Sequence, residues 1–275
     1  MLSGMRRRLG PGIGLWSLYV LGLAAVLSSV VVPLTRPAPQ HNPAVSAVPA
    51  KALHQLPVIR NRIVVLGDSV AAATGCKCDG FGAALAKANG PATLTNEGEG
   101  GLTTEGLLSQ LQGAGVRKAL ATATLVTITV GANDFDGELA DEASCQQARC
   151  YADRLRSTTA NLDAIAVRVA ALVPATAVVV FTGYWNVFLD GAVGALRGPD
   201  FVATSDRLSR QVNTAVATVA TVHHDRYTDL YAPFKGNGST DVTHLLAPDG
   251  DHPNAAGYAL ITSAIAASAG LATAH

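Results

Sequence analysis

Three short strings in this chain supply the residue types that acyl transfer needs. Gly67-Asp68-Ser69 follows one apolar run, Gly131-Ala132-Asn133-Asp134 follows another, and Asp249-Gly250-Asp251-His252-Pro253-Asn254 lies near the C-terminus. Ser69 offers a hydroxyl nucleophile, Asn133 a side-chain amide donor, and His252 a base with the Asp249 carboxylate three residues behind it. A serine hydroxyl is a weak nucleophile until a neighbouring base takes its proton, and the oxyanion that then forms needs preorganised donors. If the last string turns helically, Asp249 can accept from the imidazole N–H and fix its tautomer. Asp251 competes for that role, but adjacent residues on a turn point away from each other, which ranks Asp249 first.

Each string alone has a plainer structural reading. Ser69 could cap a following helix, Asn133-Asp134 could form an Asx-turn, and His252-Pro253 could be a turn with Asp249 as the cap of the last helix. It is their joint occurrence that favours chemistry. His223-His224-Asp225 has metal-ligand residue types, but adjacent histidines on a strand face opposite sides, so a half-exposed strand is expected there. His244 is read as a loop residue. Tyr184, Trp185 and Phe188 follow an apolar run and are candidates for the wall of an acyl or aryl pocket. No metal and no organic cofactor is expected.

The elements that must position these groups alternate between strand and helix. Ile63–Leu66, Ala92–Thr95, Ala123–Val130, Ala177–Phe181 and Arg226–Leu230 read as strands. Phe81–Asn89, Thr103–Leu111, Tyr151–Val173, Phe201–Val222 and Asn254–Ala269 read as helices, the second with Thr103 or Thr104 as its cap. Such alternation implies right-handed crossovers and a mostly parallel sheet covered on both faces. Ser69, the stretch Gly98 to Thr103, and Asn133 would each lie just past the C-terminal end of a strand, the edge where loops of an open parallel sheet meet a ligand.

The rest of the 275-residue chain bounds the setting. With 20 basic and 20 acidic side chains there is no net charge to attract nucleic acid, and an aromatic content of 5% gives no extended stacking surface. Arg6, Arg7 and Arg8 precede an uncharged stretch whose apolar centre, Leu15 to Leu34, matches the ~20 residues that cross a bilayer. Residues 1–35 therefore read as a signal or membrane-anchor segment, with an uncleaved anchor favoured and the remainder outside the cytoplasm. Residues 36–57, rich in Pro and Ala, read as a linker, and 58–275 as the folded domain. Four cysteines in an exported chain suggest disulfides. Cys145 with Cys150 is the preferred pair, leaving Cys76 and Cys78 to join each other or to reach a loop cysteine.

Four blocks carry a family resemblance: Gly67-Asp68-Ser69-Val70, Asn96-x-Gly98-x-x-Gly101-x-Thr103, Gly131-x-Asn133-Asp134 and Asp249-x-x-His252-Pro253-Asn254. In this order and spacing they resemble the SGNH, or GDSL-type, esterases and lipases, over about Ile63 to Ile265. Val70 departs from the leucine of the family nickname. The resemblance implies an α/β fold, a three-layer α/β/α flavodoxin-like architecture with five mostly parallel strands. It implies Ser69 as nucleophile, His252 as base, Asp249 behind it, and an oxyanion hole from the backbone N–H groups of Ser69 and Gly101 with the Asn133 amide. The expected partner is an acyl ester of a lipid, sugar or small alcohol, and a monomer is expected. The same machinery would serve a carbohydrate O-deacetylase or acyltransferase, and a surface-binding module is the reading outside enzymology.

Overall fold

The computed structural model describes residues 61–135 and 151–271. The anchor and linker segments, Cys145, Cys150 and the insertion from 136 to 150 lie outside the described residues. Among the described residues no helix is long and apolar enough to cross a membrane.

Five strands form one sheet: β1 (Arg62–Gly67), β2 (Thr93–Asn96), β3 (Leu125–Thr129), β4 (Val178–Thr182) and β5 (Arg226–Thr228). Their spatial order is β2-β1-β3-β4-β5, and every neighbouring pair is parallel. The expectation of a mostly parallel sheet is met by one in which all five strands run the same way. Every residue of β3 is buried, as the centre of a sheet covered on both faces requires. One covering layer holds α1 (Phe81–Ala88) and α8 (Ala255–Ala269), which pack together. The other holds α2 (Thr104–Gln110), α3 (Ala114–Leu120), α4 (Ala152–Leu172) and α6 (Pro199–Val222). Two short helices, α5 (Gly191–Ala195) and α7 (Tyr231–Lys235), belong to the connections after β4 and β5.

The strand order decides where a ligand can sit. The chain leaves β1 toward β2 on one side and returns to β3 on the other, so the loops after β1 and β3 part at this switch point and leave a crevice between them. Gly67 and Thr129 are register partners at the ends of these two strands. Gly67 has φ +133°, and a Cβ there would lie 2.0 Å from the Thr129 carbonyl oxygen. Only glycine lets the two strand ends come this close and the chain turn into Asp68.

Gly67→Ala should therefore cost at least ~2 kcal/mol, from the positive φ and the backbone collision together. Urea unfolding of the variant against wild type measures this, and an unchanged midpoint would contradict it.

Candidate active site

Four backbone segments meet at the C-terminal edge of the sheet. Ser69, half-buried, lies in a run of turns in which the Asp68 carbonyl accepts from the Ala72 N–H and the Ser69 carbonyl from the Thr74 N–H, both at 2.9 Å. The next helix, α1, begins only at Phe81 with Gly80 at its N-cap, so Ser69 does not cap it. The loop after β2 packs onto this turn. Asn96 donates to the Ala71 carbonyl at 2.9 Å and accepts from the Gly98 N–H at 2.9 Å. Gly98 lies so close that a Cβ would stand 2.5 Å from the Ala72 nitrogen. Gly101, exposed and at φ +78°, has open space beside it, so glycine is needed there for its backbone conformation.

The loop after β3 is buckled to the loop after β2. Asn133 opens a short 3₁₀ turn and donates its amide to the Leu102 carbonyl at 3.1 Å. Asp134 reaches across to the start of α2, accepting from the Thr104 backbone N–H at 3.0 Å and from the Thr104 hydroxyl. Thr103 caps that helix by accepting from the Gly106 N–H. The Asx-turn reading of Asn133-Asp134 is thereby replaced by a link between two loops.

The C-terminal block is a closed turn. Ala247 donates to the His252 carbonyl at 2.8 Å, and Asn254 caps α8 while donating to the His244 and Leu246 carbonyls. His244 thus serves through its backbone. Inside the turn, Asp249 Oδ1 accepts the amide N–H groups of Asp251 and His252, and Asp249 Oδ2 lies 3.0 Å from His252 Nδ1. Asp251 does not point away as expected from its adjacency. Its Oδ1 comes within 2.6 Å of the same Nδ1, although only the Asp249 contact has hydrogen-bond geometry. With the Asp251 carboxylate against the ring, burial opposing it and Asp249 adding to it, the imidazole is pushed up to about 9. Burial raises the Asp249 carboxyl, but the hydrogen bonds from His252 and the turn amides outweigh it and leave the group below its ordinary value. These three residues are also the group of metal-ligand types found among the described residues, but Nδ1 is already engaged by carboxylate.

This block touches the turn that bears Ser69. A Cβ on Gly75 would meet His252 Cβ at 2.9 Å and Asp249 Oδ2 at 3.0 Å, and Tyr258 of α8 donates its hydroxyl to the Val70 carbonyl at 3.0 Å.

Residues that the sequence did not single out hold this arrangement. Asp68 is buried, accepting from the Val70 N–H at 3.0 Å and from the Tyr184 hydroxyl at 2.5 Å. Burial lifts its carboxyl to about 6. Tyr184 is therefore no pocket wall. It is fully buried, as is Trp185, which stacks on Phe234 at 4.6 Å. Two apolar rings after a strand are as well suited to core as to cleft, and here the core takes them. Phe188 is half-buried, edge-on to Phe135 at 6.3 Å. His223 is not on a strand either. It follows α6 and pairs with Asp163 at 2.7 Å, while His224 turns at φ +59°. Cys76 and Cys78 are joined to each other, with Cα atoms 5.2 Å apart.

One further clasp bears on the His252 turn. Lys235 and Asp190 form an ion pair at 2.6 Å with side chains only 5% and 6% exposed. The Asp190 backbone N–H donates to the Gly250 carbonyl at 2.8 Å, so the pair anchors the loop that carries Asp249 and His252.

A model of the GDSL-like lipase/acylhydrolase family matches residues 65–260. The chain belongs to that family. Membership makes it a carboxylic ester hydrolase. Solved structures share the fold at low identity. A lipase from a goat rumen metagenome is 18% identical with a TM-score of 0.63, covering 76% of this chain and 97% of its own. Phospholipase A1 from Streptomyces albidoflavus is 23% identical at 0.59, covering 76% and 100%. A catalytic mutant of an acetylxylan esterase from Geobacillus stearothermophilus is 17% identical at 0.56, covering 77% and 95%. No curated protein matches the sequence.

Lys235→Met should cost about 3–5 kcal/mol, because Asp190 would be left charged and unpaired in the interior. Combining it with Asp190→Leu should recover part of that loss. Urea midpoints of the three variants measure both effects, and a Lys235→Met protein as stable as wild type would refute the clasp.

Proposed function

We propose that this esterase works through an acyl-enzyme on Ser69, outside the cytoplasm. The observation that carries the reading is the Asp249–His252 pair, 3.0 Å apart and packed against the turn that bears Ser69. In the first step, which needs the neutral form of His252, the Ser69 hydroxyl oxygen bonds to the ester carbonyl carbon while His252 Nε2 takes its proton. The carbonyl oxygen becomes an oxyanion facing the Ser69 and Gly101 N–H groups and the Asn133 amide. Collapse of this intermediate expels the alcohol, which receives the proton from His252. Water then repeats the sequence to free the acid. Asn133, now bonded to the Leu102 carbonyl, has a second amide proton available for the oxyanion.

The similar folds include both a lipase and an acetylxylan esterase, which supports an acyl ester of a lipid or a sugar as the substrate class. Phe188, half-buried at the edge of the cleft loops, is the aromatic of the three candidates that can contact an acyl or aryl group. Export and tethering rest on the basic residues ahead of the long apolar stretch, and a Cys76–Cys78 disulfide suits an oxidising compartment.

Ser69→Ala should abolish hydrolysis of p-nitrophenyl acetate, butyrate and longer esters, and Asn133→Ala should lower kcat ~10²–10³-fold. Near-normal turnover by a folded Ser69→Ala protein would reject the nucleophile. In the native host, mass spectrometry of the membrane fraction should find peptides from before Thr35. Their absence, with the protein in the medium, would replace the anchor by a cleaved signal.

A further inference from the structure

We infer that His252 is served by two carboxylates, Asp249 and Asp251, and that Asp251 is a second positioning residue for the imidazole. The inference rests on the reading of His252 as the base. Its observations are geometric. Asp249 Oδ2 and Asp251 Oδ1 lie 3.0 and 2.6 Å from the same ring nitrogen. Asp249 is fixed, since its other oxygen holds two backbone N–H groups of the turn. Asp251 Oδ1 is sealed from solvent, and among the described residues it has no hydrogen-bond donor unless Nδ1–H turns toward it. A buried carboxylate oxygen without a donor is costly, and one proton on Nδ1 is the donor within reach.

A ring nitrogen bears a single N–H, so the two oxygens compete for it. A modest rotation of the imidazole moves the bond from one carboxylate to the other. When His252 takes the Ser69 proton at Nε2, the imidazolium charge is met by both carboxylates at once. The Nδ1 proton stays on the ring, and neither carboxylate is protonated. Each side chain is partly open to water, 43% exposed for Asp249 and 37% for Asp251, so either alone is partly screened. Two together oppose that screening. The other ionisable groups facing this cluster are Asp68, from the turn after β1, and the Tyr258 phenol of α8, which feels Asp68 and Asp249. The Asp68 carboxylate, once ionised, adds to the preference for a positive ring, whereas burial and the neighbouring carboxylates hold the Tyr258 phenol neutral, and neither competes for Nδ1–H.

The test is a double-mutant cycle in the full chain, with Asp249→Asn, Asp251→Asn and the combination. Three quantities are read: kcat/KM on p-nitrophenyl butyrate against pH, the His252 pKa from imidazole NMR, and Ser69 labelling by a fluorophosphonate. We expect each single variant to lose about tenfold in kcat/KM and to lower the His252 pKa by about one unit. The double variant should lose ~10³-fold or more, exceeding the product of the single losses, because each carboxylate covers for the other. An Asp251→Asn protein with wild-type rate and wild-type His252 pKa would overturn the inference. So would an Asp249→Asn protein already as slow as the double. Wild-type enzyme whose Ser69 resists the probe would instead remove the base reading, and the inference with it.

Discussion

A carboxylate kept out of water at the ends of the two central strands is the constraint on which the rest depends. Asp68 stands between β1 and the turn that bears Ser69, with 1% of its surface exposed. Its oxygens take the Val70 N–H and the Tyr184 hydroxyl, which ties that turn to the segment after β4. These bonds do not fully offset desolvation. Its carboxyl rises from 3.8 to about 6, a cost on the order of 3 kcal/mol once ionised. The sign follows from linkage: a raised carboxyl favours the fold below the unfolded value near 3.8, and that advantage is gone once pH has risen through 6. At neutral pH the fold therefore carries an unfavourable charge. That charge faces His252, whose cationic form it favours.

The remaining positioning follows from topology and from loops fastened to one another. A β2-β1-β3 order puts the loops after all three strands at one edge, but it does not fix their separations. The separations are set by short polar links: Asn96 to the 71–72 backbone, Asn133 and Asp134 to the 102–104 backbone, and Tyr258 to Val70. Each joins a side chain of one loop to the backbone of another, so the loops hold one geometry without a ligand. Donors arranged this way are already oriented when charge develops on a substrate oxygen.

The fold was legible because each central strand is a short, wholly apolar or β-branched run that stops at a glycine, as at Gly67 and Gly131. The boundaries were less so. β3 ends at Thr129, short of the expected Val130, and β5 stops at Thr228, short of the expected Leu230. α3 was missed because Gly113 and Gly115 interrupt its pattern, and α5 and α7 because five residues carry too little periodicity. Ser69, Asn133, Asp249 and His252 were picked out by residue type and spacing, and the structure brings the loops that carry them to one edge of the sheet. Tyr184 and Trp185 were misplaced because a strand end says that an aromatic is near a cleft, not which way it turns. The buried polar partners Asp68, Lys235 and Asp190 left no local signal, since their significance lies in contacts across 45 residues or more.

The Asp251 contact shows where a sequence rule fails for a physical reason. Neighbouring side chains diverge along a helix or a strand, where successive residues repeat one backbone conformation. Between Asp249 and Asp251 stands Gly250 at φ +83°, a conformation that breaks the repeat. The chain folds back there, and both acidic side chains come to the same side of the imidazole. Gly250 is held in that state from outside the loop, by the Asp190 N–H on its carbonyl and by Val193, whose Cβ would lie 2.5 Å from any added side chain. Asp190 in turn is held by Lys235. The backbone from which Asp251 projects is thus anchored by a salt bridge in the connections after β4 and β5.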